Sequence, residues 1–205
     1  MNRRLLPTLC ALALLSPLVL ARPARAGAPD LREKVRAELL RLPYYGPFDL
    51  LSFRESNGEV TLGGEVYLAV LKKQAVEAVR EVPGVTKVVD RVEVLPTSVG
   101  DDRLRRVVFD RLYSDTFLAR YANPPWSLGG RGPLFRARAS GGWPLPGFEP
   151  VGRYAIHVLV KGGRVALYGT VAHEAERARA GADARGVFGV LGVENRIELE
   201  TGARS

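Results

Sequence analysis

The sequence predicts an α+β protein built from two tandem αββαβ modules. Each would form a three-stranded mixed sheet with two helices packed on one face. Three observations carry this. The phrase GEVTLGGEVY, from Gly58, returns as GRVALYGTVA from Gly163, 105 residues later. The phrase GVTKVVDRVEV, from Gly84, returns as GVLGVENRIEL from Gly189 at the same spacing. Apolar stripes of helical period stand before and between these blocks in both copies. Two blocks in one register mark an internal duplication.

In the first copy, DLREKVRAELLRL opens at Asp30, a residue type suited to an N-cap. Leu31, Val35, Leu39 and Leu42 share one helical stripe. Phe48, Leu50 and Ser52 then alternate with Asp49, Leu51 and Phe53, the period of a strand. Asn57-Gly58 is a strong hairpin signal, and Val60, Leu62 and Gly64 alternate along the return strand. The glycines there suit a strand crossed closely by a helix. YLAVLKKQAVEAVREV is a second helix with Leu71, Ala75, Ala78, Val79 and Val82 on one side, stopped by Pro83-Gly84. TKVVDRVEVL is the closing strand, ended by Pro96. A unit of about 65 residues is marginal alone, so two copies packed together would bury more surface.

The second copy repeats the order. DDRLRRVVFDRLYSD is its first helix, with Asp101 or Asp102 as cap and Leu104, Val108 and Leu112 on the stripe. RYAIHVLVKGGRVALYGTVA is its hairpin, with Gly162-Gly163 at the turn. HEAERARAGADARG is an alanine-rich second helix, and LGVENRIELE closes the unit. Aligning Leu31 with Leu104 gives an offset of 73 against the later 105, so about 32 extra residues separate the second copy's first helix from its hairpin.

Residues 1–26 stand apart. Arg3 and Arg4 precede an apolar run from Leu5 to Ala21, and Ala24-Arg25-Ala26 is a small-x-small site, the layout of a secretory signal peptide. The run is short for a membrane span and is interrupted by Pro7 and Pro17, which disfavours an uncleaved anchor. Cys10, the sole cysteine, lies early in that run after Leu9, the wrong context for lipidation. The expected division is a signal peptide at 1–26, a first domain at 27–98 and a second at 99–205. An exported chain without disulfides must rely on a packed core. Setting aside Arg3, Arg4, Arg22 and Arg25 leaves 26 basic against 22 acidic residues, a mild +4. Export argues against a nucleic-acid partner and toward anionic lipid head groups or other envelope polymers.

NGEVTLGGEV followed by a helix and then VPGVTKVVDRVEV resembles the BON domain, a small module of the bacterial envelope. Its Gly-x-Val-x-Leu-x-Gly-x-Val core is present twice, as Gly58, Val60, Leu62, Gly64 and Val66, and as Gly163, Val165, Leu167, Gly169 and Val171. The resemblance spans about residues 30–95 and 101–200, apart from the insertion. It implies an αββαβ fold and a periplasmic or secreted location, similar to osmotically inducible periplasmic proteins. It also implies binding of phospholipid or other envelope components without catalysis or a cofactor, in envelope maintenance or osmotic stress protection.

The residues themselves point to no enzyme. The two histidines, His157 in a strand and His173 at a helix start, read as ordinary polar surface residues without convergent partners. No metal-ligand spacing of His or Cys is present. GGRG from Gly129 lacks the Lys-Ser/Thr of a phosphate loop.

The insertion, residues 123–149, holds five prolines and six glycines in 27 residues, so it forms no regular element. It carries both tryptophans, Trp126 and Trp143, with Phe135, Phe148, Arg131, Arg136 and Arg138. From Arg103 to Arg138 there are eight arginines against Asp110 and Asp115, a local +6. Arg103, Arg105, Arg106 and Arg111 would flank the buried stripe of the preceding helix. Rings beside guanidinium groups suit a membrane interface. The candidate lipid- or partner-binding set is therefore Arg103, Arg105, Arg106, Arg111, Trp126, Arg131, Phe135, Arg136, Arg138 and Trp143. The first reading is peripheral binding to anionic phospholipid. The alternative is a protein-interaction module that docks an envelope protein or self-associates through the same patch. The insertion could also simply cap the second copy's sheet.

Overall fold

The computed structural model describes residues 30–121, 147–152 and 154–200. The first module contains α1 (Leu31–Leu40), β1 (Leu50–Ser56), β2 (Glu59–Val66), α2 (Ala69–Arg80) and β3 (Lys87–Val94). The second contains α3 (Val99–Ser114), a 3-10 turn (Ala119–Tyr121), β4 (Glu149–Pro150), β5 (Ile156–Lys161), β6 (Arg164–Val171), α4 (Glu174–Arg185) and β7 (Gly192–Leu199). β1–β2 and β5–β6 are antiparallel hairpins, and β3 and β7 join β2 and β6 in parallel. The α+β architecture with mixed sheets is the one the sequence predicts.

Alternation along the strands puts every second side chain under the helices. Val35, Leu39, Leu71, Ala75 and Val79 pack on Leu51, Phe53, Val60, Leu62 and Val92. Val108, Leu112, Ala180 and Ala184 pack on Ile156, Val158, Val165, Leu167 and Ile197. The alanines of α4 bring that helix close to its sheet: a Cβ on Gly181 would lie 2.8 Å from Asn195 Nδ2. Leu118 and Tyr121, beyond α3, help fill the second core, where α4 contributes no large apolar side chain.

The duplication is exact in its small bonds. Thr86 N–H donates to Gly58 O and Leu191 N–H to Gly163 O, both at 2.8 Å. Asp90 Oδ1 accepts from Val92 N–H, and its counterpart Asn195 Oδ1 accepts from Ile197 N–H.

Three expectations are corrected. Gly64 and its counterpart Gly169 are not there for a helix. At Gly64 (φ +114°) a Cβ would lie 1.8 Å from Leu50 O on the partner strand, and at Gly169 (φ +140°) 1.8 Å from Ala155 O. The close approach is strand to strand. Second, α3 is capped by Ser98, whose Oγ accepts from Asp101 N–H at 3.2 Å. Asp101 instead turns inward and accepts from Gly162 N–H and Gly163 N–H, both at 2.8 Å, fixing the β5–β6 turn. Third, the first sheet has four strands, ordered β3-β2-β1-β4.

That fourth strand is the far end of the insertion. Glu149 pairs with Phe53 and Pro150 with Ser52, and Val151 N–H donates to Leu51 O at 3.0 Å. Arg36 and Arg32 reach Glu149 at 2.9 and 3.1 Å, and Arg54 lies over the Phe148 ring at 4.8 Å. The end of the insertion therefore crosses to the first module. In return, the chain before β1 lies along β5: Val158 N–H donates to Pro47 O at 2.8 Å, and Phe48 meets Phe109 edge-on. Each module lends the segment before its hairpin to the other's sheet edge, which satisfies backbone groups that would otherwise be bare.

Candidate functional site

On α3, Arg103, Arg106 and Arg111 are exposed, as the helical stripe requires. Arg111 is partly engaged, with Nε 3.6 Å from the buried Asp183 carboxylate. Arg105 is a correction. It lies on the inner face with Asp101, Val108 and Leu112 and is 1 % exposed, so no lipid head group reaches it. Four residues after Asp101, it points the same way as that buried carboxylate. Its guanidinium donates to Val160 O at 2.7 Å, pairs with Asp102, and lies over the Tyr67 ring of the first module at 4.9 Å. Trp126, Arg131, Phe135, Arg136, Arg138 and Trp143 lie outside the described residues.

His157 is the second correction. It is 1 % exposed, not a surface residue. The open face of β5 is covered there by the first module, where the ring stacks on Tyr45 at 5.9 Å. Its Nδ1 lies 2.5 Å from Asp49 O, so Nδ1 carries the proton of the neutral ring. Asp49 is buried beside it and accepts from Tyr67 N–H at 2.7 Å and Gly46 N–H at 2.8 Å. His173, by contrast, is the exposed N-cap of α4.

This junction titrates in two opposed senses. Burial pushes Asp49 up from 3.8 to about 6, against the pull of its two backbone donors and of Arg105. Burial pushes His157 down from 6.5 to about 4. The Asp49 contribution is fully present below 3.8 and is lost as pH rises through about 6. The His157 contribution is fully present above 6.5 and is lost as pH falls through about 4. Between those limits the two offset each other. Replacing His157 with Phe should leave the Asp49 effect exposed. Between pH 7.5 and 4.5, urea unfolding should then respond about 2–3 kcal/mol more favourably to acid in the variant than in the wild type. Other carboxylates contribute equally to both and cancel. Parallel pH responses would show that His157 is not held neutral.

At one end of the second module three turns converge. The N-terminus of α3 is tied to the β5–β6 turn through Asp101, and a Cβ on Gly189 of the α4–β7 loop would meet Leu104 at 3.5 Å. Arg103, Arg164 and Arg185 are exposed at this end, and none forms an ion pair among the described residues. Sequence reading took in Arg103 but not Arg164 or Arg185, because they join the patch only when the hairpin and both helices are assembled. An open cleft of about 750 Å³ lies beside the junction, lined by Glu65, Lys161, Arg164, Tyr168 and Glu194, with its charges balanced in sign. Among the described residues no cluster of three His, Cys, Asp or Glu could hold a metal ion, and no helix is long and apolar enough to cross a membrane.

The model of the BON domain matches residues 28–96 and 150–201. The chain belongs to the BON domain family. BON domains are envelope-associated modules of a non-catalytic, binding type. The second match begins at β4, while α3 supplies that BON module's first helix from before the insertion. No curated protein matches the chain. Among solved structures it is similar to the C-terminal domain of CdsD, a structural protein of the type III secretion system of Chlamydia trachomatis. Identity is 15 % and the TM-score 0.27, over 85 % of this chain and 100 % of that one. A second CdsD structure is 14 % identical with a TM-score of 0.25, over 83 % and 92 %. Overlaps this low carry no functional argument.

Proposed function

We propose that the protein is exported and binds peripherally to anionic phospholipid membrane through its second BON module, without catalysis. The observation that carries this reading is the group of exposed arginines at one end of that module, Arg103, Arg164 and Arg185, with Arg106 further along α3, none of which forms an ion pair among the described residues. Exposed guanidinium groups gather at anionic surfaces, each basic residue near such a surface adding roughly 1 kcal/mol. By sequence, Trp126, Phe135 and Trp143 with Arg131, Arg136 and Arg138 are the interfacial companions of these arginines. Envelope maintenance and osmotic protection are the processes such binding would serve.

The test is sedimentation of the exported chain, Gly27 to Ser205, with anionic or zwitterionic vesicles at low and high salt. Binding should require the anionic lipid and weaken with salt. Reversing Arg103 and Arg106 to Glu should weaken it roughly tenfold or more. Salt-insensitive capture, or none, would turn the assignment toward an envelope protein as partner.

A further inference from the structure

We infer that the α4–β7 loop of the second module is the membrane-inserting element, with Phe188 and Leu191 entering the lipid and the surrounding basic residues meeting the head groups. The inference rests on the membrane-binding reading and adds to it the residues that leave water.

Phe188 is 98 % exposed, Leu191 75 % and Val99 87 %. All three lie at the end where the α3 N-terminus, the β5–β6 turn and the α4–β7 loop meet. Leu191 is fixed there: its N–H donates to Gly163 O at 2.8 Å, and a Cβ on Gly163 would touch its side chain at 3.0 Å. The loop is therefore a built projection with apolar groups at its tip. A single exposed leucine needs no explanation, but a fully exposed phenylalanine grouped with two other bulky apolar residues does.

The duplication provides an internal control. Each module has the same loop in the same register, since Glu59 pairs with Lys87 and Arg164 with Gly192. At equivalent positions the first module carries Pro83, Thr86, Glu59 and Glu81, where the second carries Phe188, Leu191, Arg164 and Gly186. Lys87 of the first, opposite Gly192 of the second, is paired with Glu59, and Lys161 of the second with Glu65 and Glu93. The fold is thus satisfied without an exposed aromatic residue and without excess positive charge. Only the second loop combines the two, and the combination is the chemistry of an anionic bilayer surface. The acids nearest this tip are engaged: Asp101 holds the hairpin turn and Asp102 pairs with Arg105.

The experiment compares the exported chain with a Phe188→Ser, Leu191→Thr double variant on anionic vesicles. The substituted side chains are exposed, so far-UV circular dichroism and the melting temperature should not change. Partition should fall at least roughly tenfold, the scale of withdrawing two large apolar side chains from lipid. The exported chain contains no cysteine, so Phe188→Cys gives a unique site for an environment-sensitive fluorophore. That label should brighten and shift to the blue on anionic vesicles. If the wild type binds but the double variant binds equally and the label stays in water, the loop inference fails while the membrane reading stands. If the wild type does not bind anionic vesicles, both fail.

Discussion

Gly64→Ala and Gly169→Ala should each disrupt the sheet of the module that carries them. A methyl group at either position would sit 1.8 Å from a carbonyl oxygen of the facing chain, Leu50 O in β1 or Ala155 O immediately before β5. Those oxygens belong to the hairpin itself and cannot move without breaking its ladder. Both positions also have positive φ, +114° and +140°, outside the regions an alanine occupies without strain. Strain alone costs about 1–3 kcal/mol, and the clash adds to it. The loss should exceed about 3 kcal/mol, a large part of the roughly 5–15 kcal/mol that holds a domain. Thermal and urea unfolding measure it. Gly162→Ala is the control, because nothing lies within 4 Å of its added Cβ and its φ of +57° is an ordinary left-handed value; it should cost only about 1–2 kcal/mol. Equal losses at Gly64 and Gly162 would contradict the steric account.

Replacing Arg105 should have the next largest effect. The guanidinium is buried, bonded to Val160 O, paired with Asp102 and stacked on Tyr67 across the junction. Arg105→Ala leaves a buried carbonyl without its donor and removes the packing of the arginine stem. It should cost about 3 kcal/mol. Arg105→Met keeps much of the volume and should cost less. Both variants remove a positive charge that pulls the Asp49 pKa down, so Asp49 should titrate above its present value of about 6. Carboxyl NMR reads that shift. A merely space-filling Arg105 would leave the Asp49 titration unmoved in the methionine variant.

Much of this was legible in the chain. The repeat placed both hairpins and both closing strands because Asn57-Gly58 and Gly162-Gly163 are turn chemistry and alternation has a period of two. The stripes of Val35 and Leu39, and of Val108 and Leu112, gave the helix faces because burial enforces a 3.6-residue period. The stripe of Leu104, Val108 and Leu112 leaves Arg105 at its flank, and because arginine is so seldom buried nothing local announces its enclosure under Tyr67. His157 alternates with Ile156 and Val158, which sets it on the strand face opposite theirs. Nothing local reveals that the first module covers that face. β4 was hidden for the same reason: two residues, Glu149 and Pro150, become a strand only because β1 offers them an edge. Phe188 and Leu191 were visible in principle. They are positions where the aligned copies differ, Pro83 against Phe188 and Thr86 against Leu191, and only the assembled loop shows that both side chains stay in water.

The exchange of edge segments has a consequence for how the chain must exist. A lone copy would present one open side of its hairpin and would need a second molecule to close it. That closure would then depend on how much protein was present. Joining two copies in one chain fixes their mutual effective concentration, typically in the millimolar range for short connections. The protein is in effect a covalent pseudo-dimer, a partnership that dilution cannot dissolve.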